Sequence, residues 1–224
     1  MAELREIATG LRFPEGPVAL GDGAIVVVEI AGRAITRVEP DGSVEVLAEP
    51  GGGPNGAAIG PDGKLYVCNN GASFDYVDME GLNVPVQPPS AHEGGRIERV
   101  DLDSGEVEVL YTECEGRPLR APNDLVFDAE GGFYFTDHGL REHRTSDRTG
   151  VFYAQPDGSS IDEVHHSDHY LPRGPGYGLL PLPAGRWTPA HTEAARFLGE
   201  CFAVGAVLGL VVEMARPMGG QRHG

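Results

Sequence analysis

The sequence predicts an all-β protein, a β-propeller of stacked four-stranded blades, and three observations carry that prediction. Thirty-three Gly and 18 Pro among 224 residues interrupt regular elements too often for long helices, while 40% apolar residues still supply a core. Short apolar runs alternate with Asp-Gly, Pro-Asp-Gly and Gly-Gly turns, as antiparallel hairpins require. The third observation is an internal repeat through residues 1–166.

Three units open alike, on Phe13-Pro-Glu-Gly16, Gly53-Pro-Asn-Gly56 and Ala121-Pro-Asn-Asp124. A turn and a strand follow in each, over 21–29, 61–69 and 129–137, and every strand ends on a polar residue: Glu29, Asn69 or Asp137. A hairpin-like pair closes each unit, over 32–47, 95–110 and 150–164. That makes four strands per unit. A four-stranded antiparallel sheet cannot bury both faces alone, so copies must stack, and radial stacking around a channel gives a propeller. An ordinary β-sandwich with the same turn spacing is the alternative. The middle unit carries an insertion at 73–93, rich in Pro, Asp and Asn, expected to form a loop over one end of the channel.

Charge narrows the partners. Seventeen basic against 34 acidic residues give a net charge of −17, a field that repels phosphate backbones and anionic lipids, so neither nucleic acid nor a membrane is expected as a partner. The N-terminal Met-Ala-Glu-Leu-Arg-Glu lacks an apolar leader, which makes the cytoplasm the expected location. Cys68, Cys114 and Cys201 lie far apart and read as reduced packing residues. No G-x-S-x-G, Walker A or G-x-G-x-x-G motif occurs.

In a propeller the start of each innermost strand faces the channel, which would bring Glu15, Asn55 and Asn123 to one mouth. Taken singly, Pro-Glu-Gly and Pro-Asn-Gly are ordinary turn sequences. In register, a carboxylate and two amides make a hard-oxygen set suited to Ca²⁺ or Mg²⁺, with Zn²⁺ also possible. Asp137 and His138, at the end of a strand, are weaker acid/base candidates, and Thr-Asp at such a point is also plain capping. His165, His166, Asp168 and His169 resemble metal ligands but fall where a loop between units is expected, with His165 and His169 on one face if that stretch is helical.

The stretches Phe13–Pro17, Pro54–Asn69 and Arg120–Asp137 resemble the SMP-30/gluconolactonase/LRE-like family, over about residues 8–166. The resemblance implies a six-bladed propeller, one divalent metal ion at the channel mouth (Ca²⁺ or Zn²⁺, or else Mg²⁺ or Mn²⁺), and hydrolysis of a small-molecule lactone by metal-assisted attack of water. It also implies that Glu15 is a metal ligand, that Asn123 lines the metal and substrate site, and that Asn55 takes the corresponding substrate-facing position.

The resemblance then breaks. The family's later Asn ligand and its late Asp, the expected base, have no counterpart. Nine of the eighteen residues at 172–189 are Pro or Gly, which a strand interior does not tolerate. A short stretch at 190–197 is family-like again. The sequence therefore divides into 1–170, the propeller blades, and 171–224, a degenerate fourth blade and tail, giving three to three and a half blades in place of six. Net charge changes with it: residues 1–166 carry 30 acidic and 12 basic side chains, residues 167–224 only 4 and 5. One lysine, Lys64, against sixteen arginines suits a GC-rich gene, and a reading frame that slips near 171, recovers near 190 and slips near 200 accounts for the pattern. Two readings result. One is a lactonase; the other is a truncated, catalytically inactive propeller that self-associates through its open edges.

Overall fold

The computed structural model describes residues 5–166, apart from Gly81, His143 and Thr149. Within them lie three four-stranded antiparallel sheets, one for each repeat. The first is β1 (Pro14–Ala19), β2 (Ile25–Glu29), β3 (Ala34–Val38) and β4 (Val44–Ala48), paired in sequence order. The second starts with β5 (Pro54–Ile59) and β6 (Leu65–Asn69). The chain then leaves for a separate hairpin, β7 (Asp75–Met79) and β8 (Leu82–Val86), and returns as β9 (Arg96–Val100) and β10 (Val107–Tyr111). A two-residue pair, β11 (Glu113–Cys114) and β12 (Arg117–Pro118), precedes the third sheet. That sheet is β13 (Pro122–Phe127), β14 (Phe133–Asp137), β15 (Gly150–Ala154) and β16 (Ile161–His166).

Side-chain alternation explains why the sheets stack. Along β6, Leu65 and Val67 join a buried cluster with Val26, Val28 and Ile35 of the first sheet. The intervening Tyr66 and Cys68 enter a second cluster with Leu125, Phe133, Phe135 and Phe152 of the third. A strand that is apolar on both faces must be covered on both, so the middle sheet is clamped between its neighbours. Phe135 and Phe152 stack at 5.0 Å between ring centroids within the second cluster. Cys68 and Cys114 are free, buried thiols in this same layer, as the sequence predicted; Cys201 lies outside the described residues.

Two expectations are corrected. The insertion at 73–93 is not a bare loop: β7 and β8 pair from Asp75↔Val86 to Met79↔Leu82. Asp75 and Asp78 within β7 and Pro85 within β8 break the apolar alternation that marks a strand in the sequence, so the ladder was not legible there. His165 and His166 lie at the end of β16, paired with Val151 and Gly150, rather than in a loop or a helix. Asp168 and His169, like the expected degenerate fourth blade and tail at 171–224, lie outside the described residues.

Glu98 links the second sheet to the site. It is 1% exposed, accepts a 3.0 Å hydrogen bond from Asn69 Nδ2 and pairs with Arg96 at 2.5 Å. Burial nevertheless pushes its carboxyl above the usual range, outweighing Asn69 and Arg96. A folded-state value above the unfolded one contributes stability that is full below the unfolded value and lost as pH rises through the folded one. Wild type is therefore expected to lose stability relative to Glu98→Gln as pH rises from 4 to 7 in parallel urea titrations; a constant difference would contradict this account.

Candidate functional site at the channel mouth

The innermost strands of the three sheets, β1, β5 and β13, lie side by side. Each begins on a proline, tolerated at a strand's first residue, and each has a register shift near its start: after Glu15 in β1, directly after the proline between Pro54 and Gly56 in β5, and between Pro122 and Leu125 in β13. A bulge re-aims a side chain out of the regular alternation. Asn55 and Asn123 fall inside these irregularities, which turn them out of the regular alternation, whereas Glu15 keeps its register partner Val28 and the shift follows it.

Two glycines permit the strands to approach this closely. A Cβ on Gly16 would stand 2.8 Å from the Ala57 nitrogen, and one on Gly56 would stand 2.5 Å from both the Asn123 carbonyl oxygen and the Asp124 Cα. Across the second contact Asn55 Nδ2 donates to Asn123 Oδ1 at 2.8 Å. Asn55 is buried, while Glu15 and Asn123 are partly exposed. Glu15 sits close enough to Asp124 for the two negative charges to oppose each other. Burial first, and that repulsion second, raise the Glu15 carboxyl above the ordinary value. The structure therefore brings together the three residues that the sequence singled out.

The polar residues that end the second strands have another function. Asp137 Oδ1 accepts the Ala121 and Gly139 N–H groups at 2.8 and 2.9 Å, and its Oδ2 accepts that of Arg120 at 2.7 Å. Asn69 Oδ1 accepts the Gly53 and Gly71 N–H groups at 2.8 and 3.0 Å. Glu29, one carbon longer, reaches the Arg12 N–H at 2.5 Å. In every blade this side chain holds the backbone that leads into the innermost strand. Asp137, a candidate acid/base from the sequence, is here a buried structural clamp engaged by three backbone donors. His138 keeps a bond from its Nδ1 to the Gly139 carbonyl and a ring contact with Phe74 at 5.7 Å, and burial lowers its pKa.

The sequence places the 73–93 insertion over one end of the channel but does not say which side chains make the contact. Phe13, in the first motif, packs on Tyr76 of the inserted hairpin at 5.3 Å between ring centroids. With Phe74 on His138, the insertion touches both the first and third blades around the site. Two aromatics in a polar insertion were the available signal, but nothing in their spacing says what they meet.

An innermost-strand repeat, sheets packed face to face and a polar cluster at one mouth define a portion of a β-propeller. A family model described as SMP-30/Gluconolactonase/LRE-like region matches residues 13–174, and the chain belongs to that family. It is 28% identical over 173 residues to a gluconolactonase of Zymomonas mobilis, an alignment covering 68% of this chain and 42% of that protein. It is 31% identical over 144 residues to lactonase drp35 of Staphylococcus saprophyticus, covering 63% of this chain and 38% of that one. The chain thus spans less than half the length of either relative. A solved gluconolactonase from Xanthomonas campestris shares the fold with a TM-score of 0.53 at 24% identity, over 71% of this chain and 49% of that chain.

Proposed function

We propose that this mouth is a lactone-hydrolysis site built for one divalent cation, with Glu15 and Asn123 holding the ion and Asn55 and Asn123 orienting the lactone. The observation that carries the reading is the Asn55–Asn123 hydrogen bond at the heads of two adjoining innermost strands, with Glu15 at the head of the third strand, β1, next to β5. The donor set suits a hard cation. A partly buried carboxylate repelled by Asp124 favours a positive charge beside it, and an amide oxygen that already accepts one bond keeps a second lone pair. Among the described residues no group of three or more His, Cys, Asp or Glu forms a competing centre.

A bound divalent ion would polarise the ester carbonyl and acidify water. The chain's own contribution is positional: Asn55 is locked by its bond to Asn123, and Glu15 is held in register opposite Val28 of β2. The lactonase names of the two relatives support this chemistry for the family's fold and motifs.

The test uses the full chain with glucono-1,5-lactone, following acid release and thermal unfolding with and without Ca²⁺, Zn²⁺, Mg²⁺ or Mn²⁺. An ion at 100 times its Kd is expected to stabilise the fold by about 2.7 kcal/mol. Glu15→Gln should abolish that stabilisation and reduce hydrolysis by ~10²-fold or more. A melt indifferent to all four ions, with acid release no faster than buffer, would leave the non-catalytic propeller as the reading.

A further inference from the structure

We propose that Tyr76, carried on the β7–β8 hairpin, is a substrate-binding residue whose phenol donates a hydrogen bond to the ligand held over Glu15, Asn55 and Asn123. The inference rests on the lactone-site reading and adds a residue to it from an insertion outside the four-strand repeat.

Its first support is an unmet hydrogen bond. The Tyr76 hydroxyl is buried and has no partner among the described residues. A phenol so placed needs an acceptor, because a lone buried hydroxyl is unfavourable. The second support is position. The Tyr76 ring packs against Phe13, two residues before Glu15, and the phenol lies within the electrostatic reach of the Glu15 carboxylate. Burial first, and the Glu15 charge second, push its ionisation well upward, so it remains a neutral donor at any working pH.

The third support is company. Asn70 Nδ2 and Ser73 Oγ are also buried and unpartnered among the described residues, so the stretch 70–76 contains three such groups. Asn70 and Ser73 are joined by a 3.1 Å bond from the Ser73 N–H to Asn70 Oδ1. The Asn70 N–H in turn donates to the Gly53 carbonyl at 2.8 Å, two residues before Asn55. The orphaned groups therefore border the same mouth, and a ligand bearing several hydroxyl or carbonyl oxygens would match them. Hydrolysis needs none of these groups to change protonation state. Tyr76 binds and orients; it does not transfer a proton.

The experiment compares wild type and Tyr76→Phe, a change that removes one oxygen from a packed ring. Glucono-1,5-lactone is the kinetic probe, and its hydrolysed acid, gluconate, is titrated into full-length protein carrying ¹³Cζ-labelled tyrosine, with the Tyr76 signal assigned by its loss in the variant. Tyr76→Phe is expected to raise KM about tenfold while the ion-induced rise in melting temperature stays unchanged. The Tyr76 signal should shift with gluconate. An unchanged KM with a static Tyr76 signal would mean that an ordinary water satisfies the phenol, and the proposal would be overturned. If wild type hydrolyses no lactone, the lactonase reading fails separately. The labelled signal then decides alone: a shift with lactone or gluconate sustains Tyr76 as a ligand contact, and a static signal removes it.

Discussion

Asp137→Ala is expected to lower stability by about 3–6 kcal/mol, a large share of the roughly 5–15 kcal/mol that holds an ordinary domain folded. Three backbone donors, from Arg120, Ala121 and Gly139, lose their acceptor together. Two of the three bonds lie in buried surroundings, where water is a poor substitute. The molecule supplies its own control, because Asn69 performs the equivalent task in the second blade with a single amide oxygen. Asp137→Asn can therefore keep the Ala121 and Gly139 bonds and forfeit only that from Arg120, a loss of about 1 kcal/mol. Urea midpoints of the two variants provide the check. Equal damage from both substitutions would point to the negative charge rather than the acceptor, and an Ala variant as stable as the parent would dispose of the clamp.

Gly56→Ala is expected to lose about 3 kcal/mol and, with it, the geometry of the site. The added methyl would meet Asp124 Oδ1, the Asn123 carbonyl and the Asp124 Cα, and backbone atoms cannot rotate aside as a side-chain tip does. The innermost strands of the second and third blades must separate, which stretches the bond from Asn55 to Asn123. Gly21→Ala is the matching control: its new methyl would have no neighbour within 4 Å, and its effect should stay within about 0.5 kcal/mol. Calorimetric melting in the presence and absence of Ca²⁺ measures both consequences at once. Retention of full stability together with an undiminished ion response in Gly56→Ala would show that the strands have room to spare.

The blades were legible because each repeats the same local code. Proline marks the first residue of β1, β5 and β13; Asp22, Asp62 and Asp128 turn the chain by accepting the N–H two residues onward. Alternating apolar residues then mark faces, as Leu65 to Cys68 do on the two sides of β6. The triplet Glu15, Asn55 and Asn123 was legible for the same reason, since register within a repeat places like residues at like points in space. For Asp137 the sequence left two roles open, capping and acid/base chemistry. A carboxylate that binds substrate and one that clamps a backbone look alike in a sequence, and only the positions of the Arg120, Ala121 and Gly139 amides separate them.

The hairpin carrying Tyr76 marks the same boundary. The sequence puts the insertion over one end of the channel, yet Asp-Tyr-Val-Asp-Met carries no clean alternation and no second copy in the chain shows which side chains it turns to the mouth. Strand, turn and repeat follow from interactions between residues close in sequence, so they are written in the order of the residues. The covering of the mouth, the approach of Gly56 to Asp124, and the unmet hydroxyl of Tyr76 arise between residues far apart in the chain. Those contacts depend on how one sheet twists and leans against the next, a property of the packed blades that no single stretch of sequence contains.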